Sequence, residues 1–232
     1  MPSSHSIEEL VARQGLFSEV RRRSRERPAS GARAAEGPWI TVSRQLGSWG
    51  LPLAARVAET LGWRAYDREI LAAIAAETRS QEVVLERYDE HAVREFDEYL
   101  APLIIPDDPG HARYLVELAA VIARIARQGR AVLVGRGAHL VLTPACGLRI
   151  RAVGAFDARV AEIARLEDVP PAEARRIVSE NDQAQRAFIR QTFRQEIDDP
   201  SGYDLVLNVL DLGLDAALQS VLSAAKGKLG LQ

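Results

Sequence analysis

Five short extended runs, interleaved with helical patterns, leave this chain few folds to choose from. They read WITVS (39–43), WRAYD (63–67), RAVLVG (130–135), LRIRAVG (148–154) and YDLVLNV (203–209). RAVLVG is a continuous apolar run between turn signals, which marks a strand buried on both faces. Helical patterns fill 51–61, 68–78, 80–100, 111–128, 156–167, 170–195 and 214–226. Pro52 falls in the first turn of the first of these, where a missing N–H costs little. Strands that alternate with helices predict parallel βαβ units and an α/β sheet covered on both faces. Ligands of such sheets bind where the strands end at their carboxyl side, so the loops after the strands are the places to look for chemistry.

The N-terminal segment stands apart. Ser6 and Glu9 have capping-box spacing, and Ile7, Leu10, Val11 and Phe17 outline one apolar helical face. A basic, then Ala-, Gly- and Ser-rich stretch follows to residue 37 and reads as a flexible linker. The expected organisation is an N-terminal helix and basic linker over 1–37 and one compact domain over 38–228.

Composition closes several other routes. A formal net charge of −2 argues against a protein held to nucleic acid by bulk attraction. One cysteine, Cys146, allows neither a disulfide framework nor a multi-cysteine zinc site. No apolar run is long enough to span a bilayer, and no secretory signal core is visible, so a cytoplasmic location is expected.

Four places carry candidate chemistry. After WITVS come Ser43, Arg44, Gly47, Ser48 and Gly50. A strand, a glycine turn and a helix start place open N–H groups and a helix dipole together, which is an anion site. The GxxxxGK[ST] spacing is absent, so an ordinary strand-to-helix turn is the competing reading. After WRAYD, Tyr66, Asp67 and Arg68 open a helix; Asp67 either caps it or holds a substrate sugar or base while Arg68 pairs with a phosphate. Gly135 and Gly137 flank Arg136 at the end of RAVLVG, where glycines permit close approach and arginine suits phosphate. His139, one turn on, is expected at the surface or as a cap. Arg186, Arg190 and Arg194 recur every four residues on one helical face, with Asp182 one turn before Arg186 as its expected ion-pair partner. Little acidic compensation nearby leans this face toward an anion clamp.

In order along the chain, ITVSRQLGSWG, LGWRAYDREIL, AVLVGRGAHLVL, RRIVSENDQAQRAFIRQTF and DDPSGYDLVLNVLDLGLDAAL resemble the cytidylate kinase-like family, a branch of the P-loop nucleoside-monophosphate kinases. The resemblance spans residues 39–225. It implies a three-layer α/β/α fold of the P-loop NTPase type, with a parallel central sheet and a helical lid at about 170–198. It implies phosphoryl transfer from ATP, with Mg²⁺, to a nucleoside monophosphate such as CMP. Ser43, Arg44, Gly47, Ser48, Gly50 and Arg194 would then hold the donor, with Ser48 also on the metal. Tyr66, Asp67, Arg68, Gly135, Arg136, Gly137 and Asp182 would face the acceptor. Arg44, Arg136, Arg186 and Arg190 would serve the transfer itself. Residues 81–128 would shape the acceptor pocket. Two departures stand out: Trp49 where the family has glycine, and Leu51 where it has a basic residue. An indole in the loop narrows the phosphate path, and the lost cation removes charge from the transferring group. The alternative is therefore a nucleotide-binding protein of the same fold with little turnover, its N-terminal helix engaging a protein partner.

Overall fold

The computed structural model describes residues 37–67 and 109–231. The N-terminal helix and linker, Arg68, and the helical patterns at 68–78 and 80–100 lie outside the described residues. In chain order the elements are β1 (Trp39–Arg44), α1 (Gly50–Leu61), β2 (Arg64–Tyr66), α2 (Pro109–Gln128), β3 (Ala131–Val134), α3 (Ala138–Val141), β4 (Gly147–Val153), α4 (Phe156–Glu167), α5 (Pro171–Phe193), β5 (Leu205–Asn208), α6 (Val209–Leu212) and α7 (Leu214–Leu229).

The strands form one five-stranded sheet in the order β2-β3-β1-β4-β5. Every pairing is parallel, with Trp39 beside Ala131 and Gly147, and Ser43 beside Arg151. Side chains alternate across a strand, so this register sorts them into two faces. Ile40, Val42, Val132, Val134, Leu148 and Ile150 face α1 and α7, where Leu53, Val57, Leu218 and Val221 cover them. Trp39, Ala131 and Leu133 face α2 and α3, against Leu118, Ile122, Ile125 and Ala138. Helices on both faces make the α/β architecture three layers, as expected. Each large apolar side chain so buried contributes about 1.5–3 kcal/mol.

The same alternation forces a polar choice on β4. Leu148 and Ile150 belong to the first face, so Arg149 and Arg151 must point to the second. Beyond the sheet, α4 and α5 pack through Val160, Ile163, Ala174 and Val178, with Leu46 of the β1 loop against them. The far end of α5 and the turn after it return to the second face through Ile189, Phe193 and Ile197, which meet Leu140 and Val141. Both ends of α5 are thus tied to loops at the carboxyl edge of the sheet. No helix among the described residues is long and apolar enough to cross a membrane.

Candidate functional site

The loop after β1 is built by close backbone contact. Gln45 N–H donates to Ala152 O at 3.0 Å, so the chain leaves the sheet still bound to β4. Gly47 has φ 77°, and a Cβ there would lie 2.7 Å from Arg159 O, so α4 leaves room for glycine alone. Ser48 is fully buried; its hydroxyl donates to Gln45 O at 2.7 Å, with Ala152 O at 3.2 Å as a second acceptor. Trp49 follows in the left-handed region (φ 59°), and its indole N–H donates to Glu162 Oε1 at 2.8 Å. The hydrogen bond from Arg165 is the main reason the Glu162 carboxyl is held below its usual range; burial opposes this, and the hydrogen bond from Trp49 adds to it. α1 then begins at Gly50 with no side-chain hydrogen bond at its N-cap, so its first turn lacks the side-chain acceptor that commonly meets such N–H groups. Arg44, partly buried, packs its Cβ against Gly50.

The turn after β3 is a run of three left-handed residues, Gly135 (φ 75°), Arg136 (φ 54°) and Gly137 (φ 70°). Leaving β3 this way turns Arg136 into a pocket with Leu115, Leu118, Ile122, Val141, Thr192 and Phe193. Its Nε is buried without a hydrogen-bond partner among the described residues. Gly137 touches Phe193, and an added Cβ would overlap the ring. Gly137→Ala therefore combines a left-handed backbone with overpacking and is expected to cost about 2 kcal/mol, read as a lower denaturant midpoint at unchanged m.

The ion pairs differ from the sequence expectation. Asp182 does not pair with Arg186. It is buried against Arg159, which reaches both carboxylate oxygens at 3.0 and 2.8 Å. Arg159 also donates to Gly154 O at 3.0 Å and Leu46 O at 3.2 Å, so one guanidinium joins the β1 loop, the β4 loop and α5. Asp182 is thereby taken up in the scaffold. The α5 arginines do have acidic compensation: Arg186 pairs with Asp198 and Arg190 with Glu196, each at 2.9 Å. Those acids follow the helix and double back, so spacing along the helix does not reveal them. Arg194 is exposed and ends α5 in the left-handed region (φ 53°), its N–H on Arg190 O.

A second polar cluster lies beside Ser43. Arg151 is 3% exposed and donates to Ser43 Oγ at 2.9 Å and to Asp198 Oδ1 at 2.9 Å. Tyr203 O–H donates to Ile197 O at 2.9 Å, and its ring stacks on His139 with centroids 4.8 Å apart. His139, expected at the surface or as a cap, is buried. Burial first, then the charges of Arg151 and Arg149, push its pKa down to about 3. Partial burial opposes ionisation of Asp198, but the hydrogen bond from Arg186 and the charge of Arg151 outweigh it and hold that carboxyl below its usual range. Tyr66 and Asp67 lie half-buried at the carboxyl end of β2, Tyr66 against the second core face.

Loop, turn and arginines therefore gather at one edge of the sheet, while Arg151, Arg159, Asp198 and Tyr203 were missed from sequence. The alternation in LRIRAVG was the available signal: two arginines on one face of a central strand demand buried partners. For a metal, the fit is poor. Ser48 is fully buried with its hydroxyl proton turned to the Gln45 and Ala152 carbonyls, and among the described residues no group of three acidic, His or Cys side chains converges.

A model of the cytidylate kinase-like family matches residues 39–210. Among solved structures, an uncharacterized protein from Eubacterium ventriosum ATCC 27560 superposes with a TM-score of 0.63 at 21% identity, covering 82% of this chain and 98% of that one. That likeness shows a shared fold. A shikimate kinase from Bacteroides thetaiotaomicron is more distant, with a TM-score of 0.46 at 12% identity over 81% of this chain and 98% of that one. No curated protein sequence matches the chain significantly.

Proposed function

The chain belongs to the cytidylate kinase-like family, and on that premise we propose that it is a phosphotransferase moving a phosphoryl group from ATP to a nucleoside monophosphate such as CMP. One observation carries the reading: Arg136 stands at the carboxyl end of β3 with a buried Nε that has no hydrogen-bond partner among the described residues. A desolvated guanidinium donor without an acceptor is costly, and an acceptor phosphate would satisfy it.

In this reading the chain supplies position and charge. The first-turn N–H groups at Gly50 and Leu51, with Arg44 beside them, take the donor phosphates. Arg136 takes the acceptor phosphate, with Tyr66 and Asp67 at the neighbouring strand end. Arg186 and Arg190 on α5, with Arg194 at its end, neutralise the charge that develops between donor and acceptor. No step is assigned to Mg²⁺, because Ser48 is fully buried in the loop.

Trp49 and Ser48 favour a second reading, a nucleotide-binding protein with little turnover. The indole tied to Glu162 fills a place where a small residue would leave the loop open. Purified protein given ATP, Mg²⁺ and a panel of nucleoside monophosphates separates the two by ADP release. The phosphotransferase reading expects turnover with at least one acceptor. It also expects Arg136→Ala to lower kcat/KM by about 100-fold or more without lowering the melting temperature, since the costly buried donor goes with it. ATP binding without turnover on any acceptor leaves the second reading, and absence of binding removes both.

A further inference from the structure

We propose that the Asp198 carboxylate occupies a phosphoryl-binding site formed by Arg151, Arg186 and Ser43, and that a phosphoryl group displaces it. The two ion-paired arginines buried near the sheet edge are not alike. Arg159 and Asp182 form a closed pair, with side chains only 3% and 9% exposed and two matched hydrogen bonds. That is how a structural pair satisfies a buried charge. Arg151 and Asp198 are lopsided. The Arg151 side chain is 4% exposed and that of Asp198 49%. Asp198 gives Arg151 one oxygen, at 2.9 Å from Nη2, and gives its other oxygen to Arg186 Nε, also at 2.9 Å. Arg151 Nε remains buried with no hydrogen-bond partner among the described residues.

Two guanidiniums from different elements, a strand-end hydroxyl and a spare buried donor are more than one carboxylate can satisfy. A phosphoryl group, with three terminal oxygens and up to two charges, matches that donor set better. The carboxylate is also free to leave without moving the backbone. Ile197 is buried and its carbonyl held by Tyr203, and Asp199 caps the turn that follows by accepting from Ser201 N–H. A rotation of the Asp198 side chain alone opens the site. Arg186 is then passed from an internal acid to the ligand, so an α5 arginine is masked until phosphate arrives. Its biological use rests on the phosphate-transfer reading above, but the binding site itself does not.

Inorganic phosphate is the probe, titrated calorimetrically into the full chain at constant ionic strength. Displacing a half-exposed internal carboxylate lowers apparent affinity, so Asp198→Asn is expected to bind phosphate about tenfold more tightly than the parent. Adding Arg186→Gln or Arg151→Gln to Asp198→Asn is expected to abolish that gain. Equal or weaker binding by Asp198→Asn overturns the proposal, as does a gain that survives both arginine changes. If Asp198→Asn is unfolded on its own, phosphate is expected to restore its helical circular dichroism, and failure to do so also overturns it. ADP release without any phosphate response at Asp198→Asn would end this inference and leave the phosphotransferase. The converse result would keep the site and remove the transfer.

Discussion

Asp182→Ala is expected to destabilise the protein by about 3–5 kcal/mol, because it leaves the Arg159 guanidinium buried and uncompensated. The pair is closed at both ends: Arg159 is 3% exposed and Asp182 8%. Arg159 would keep its bonds to Gly154 O and Leu46 O, but two carbonyls do not neutralise a desolvated cation. Urea denaturation followed by circular dichroism reads the loss as a lower midpoint. The paired variant Arg159→Leu/Asp182→Leu sharpens the test. Removing both charges removes the desolvation penalty with them, so the double change is expected to cost less than Asp182→Ala alone. A ligand contact on the protein surface behaves differently, with a stability change within about 0.5 kcal/mol and an effect confined to substrate binding. If Asp182→Ala melted like the parent, the scaffold role derived from its geometry would be lost. Because Arg159 also holds the carbonyl of Leu46, milder variants at this pair are expected to loosen the β1 loop before they unfold the domain.

Acid should destabilise the protein through His139 well before its carboxylates protonate. In the folded state this ring is buried, stacked on Tyr203 and close to Arg151, and its pKa falls to about 3 from an ordinary 6.5. The unfolded chain therefore binds a proton at this position that the folded chain refuses. Stability from this group is fully present above pH 6.5 and drains away as pH falls toward 3. The slope is about 1.4 kcal/mol per pH unit, so roughly 3 kcal/mol is gone by pH 4.5. His139→Phe keeps an aromatic ring against Tyr203 and removes the titration. Stability measured by denaturant from pH 7 to 4.5 is expected to fall in the parent and to stay nearly level in His139→Phe. Parallel curves for the two would show that another group drives the acid response.

The fold was legible because its signals are local. Apolar runs such as RAVLV announce a strand buried on both faces, and glycine and proline punctuate the ends. The β1 loop, the Arg136 turn and the arginine stripe of α5 were legible for the same reason, since each is a short motif whose residues are neighbours. His139 misled because a single histidine one turn past a glycine carries no mark of burial. Its ring stacks on Tyr203, which lies far along the chain. Asp182 misled because helical spacing offered Arg186 as a ready partner, while the real partner lies 23 residues earlier, on α4. The acids that meet Arg186 and Arg190 escaped because they follow the helix and return along it.

The loop at Ser43 to Gly50 divides along the same line. Its place after β1, its glycines and its missing lysine were determined by the sequence alone, as were the parallel α/β layout and the two faces of the sheet. Those follow from periods of 2 and 3.6 residues, which hold whatever lies elsewhere in the chain. Only the tertiary structure decided that Ser48 turns inward, that Trp49 is tied to Glu162, and that Arg151 reaches Ser43 across 108 residues of chain. Burial of apolar side chains sets where elements go. Which charge meets which is settled afterwards, by the contacts that packing permits and by the high cost of leaving a buried charge alone.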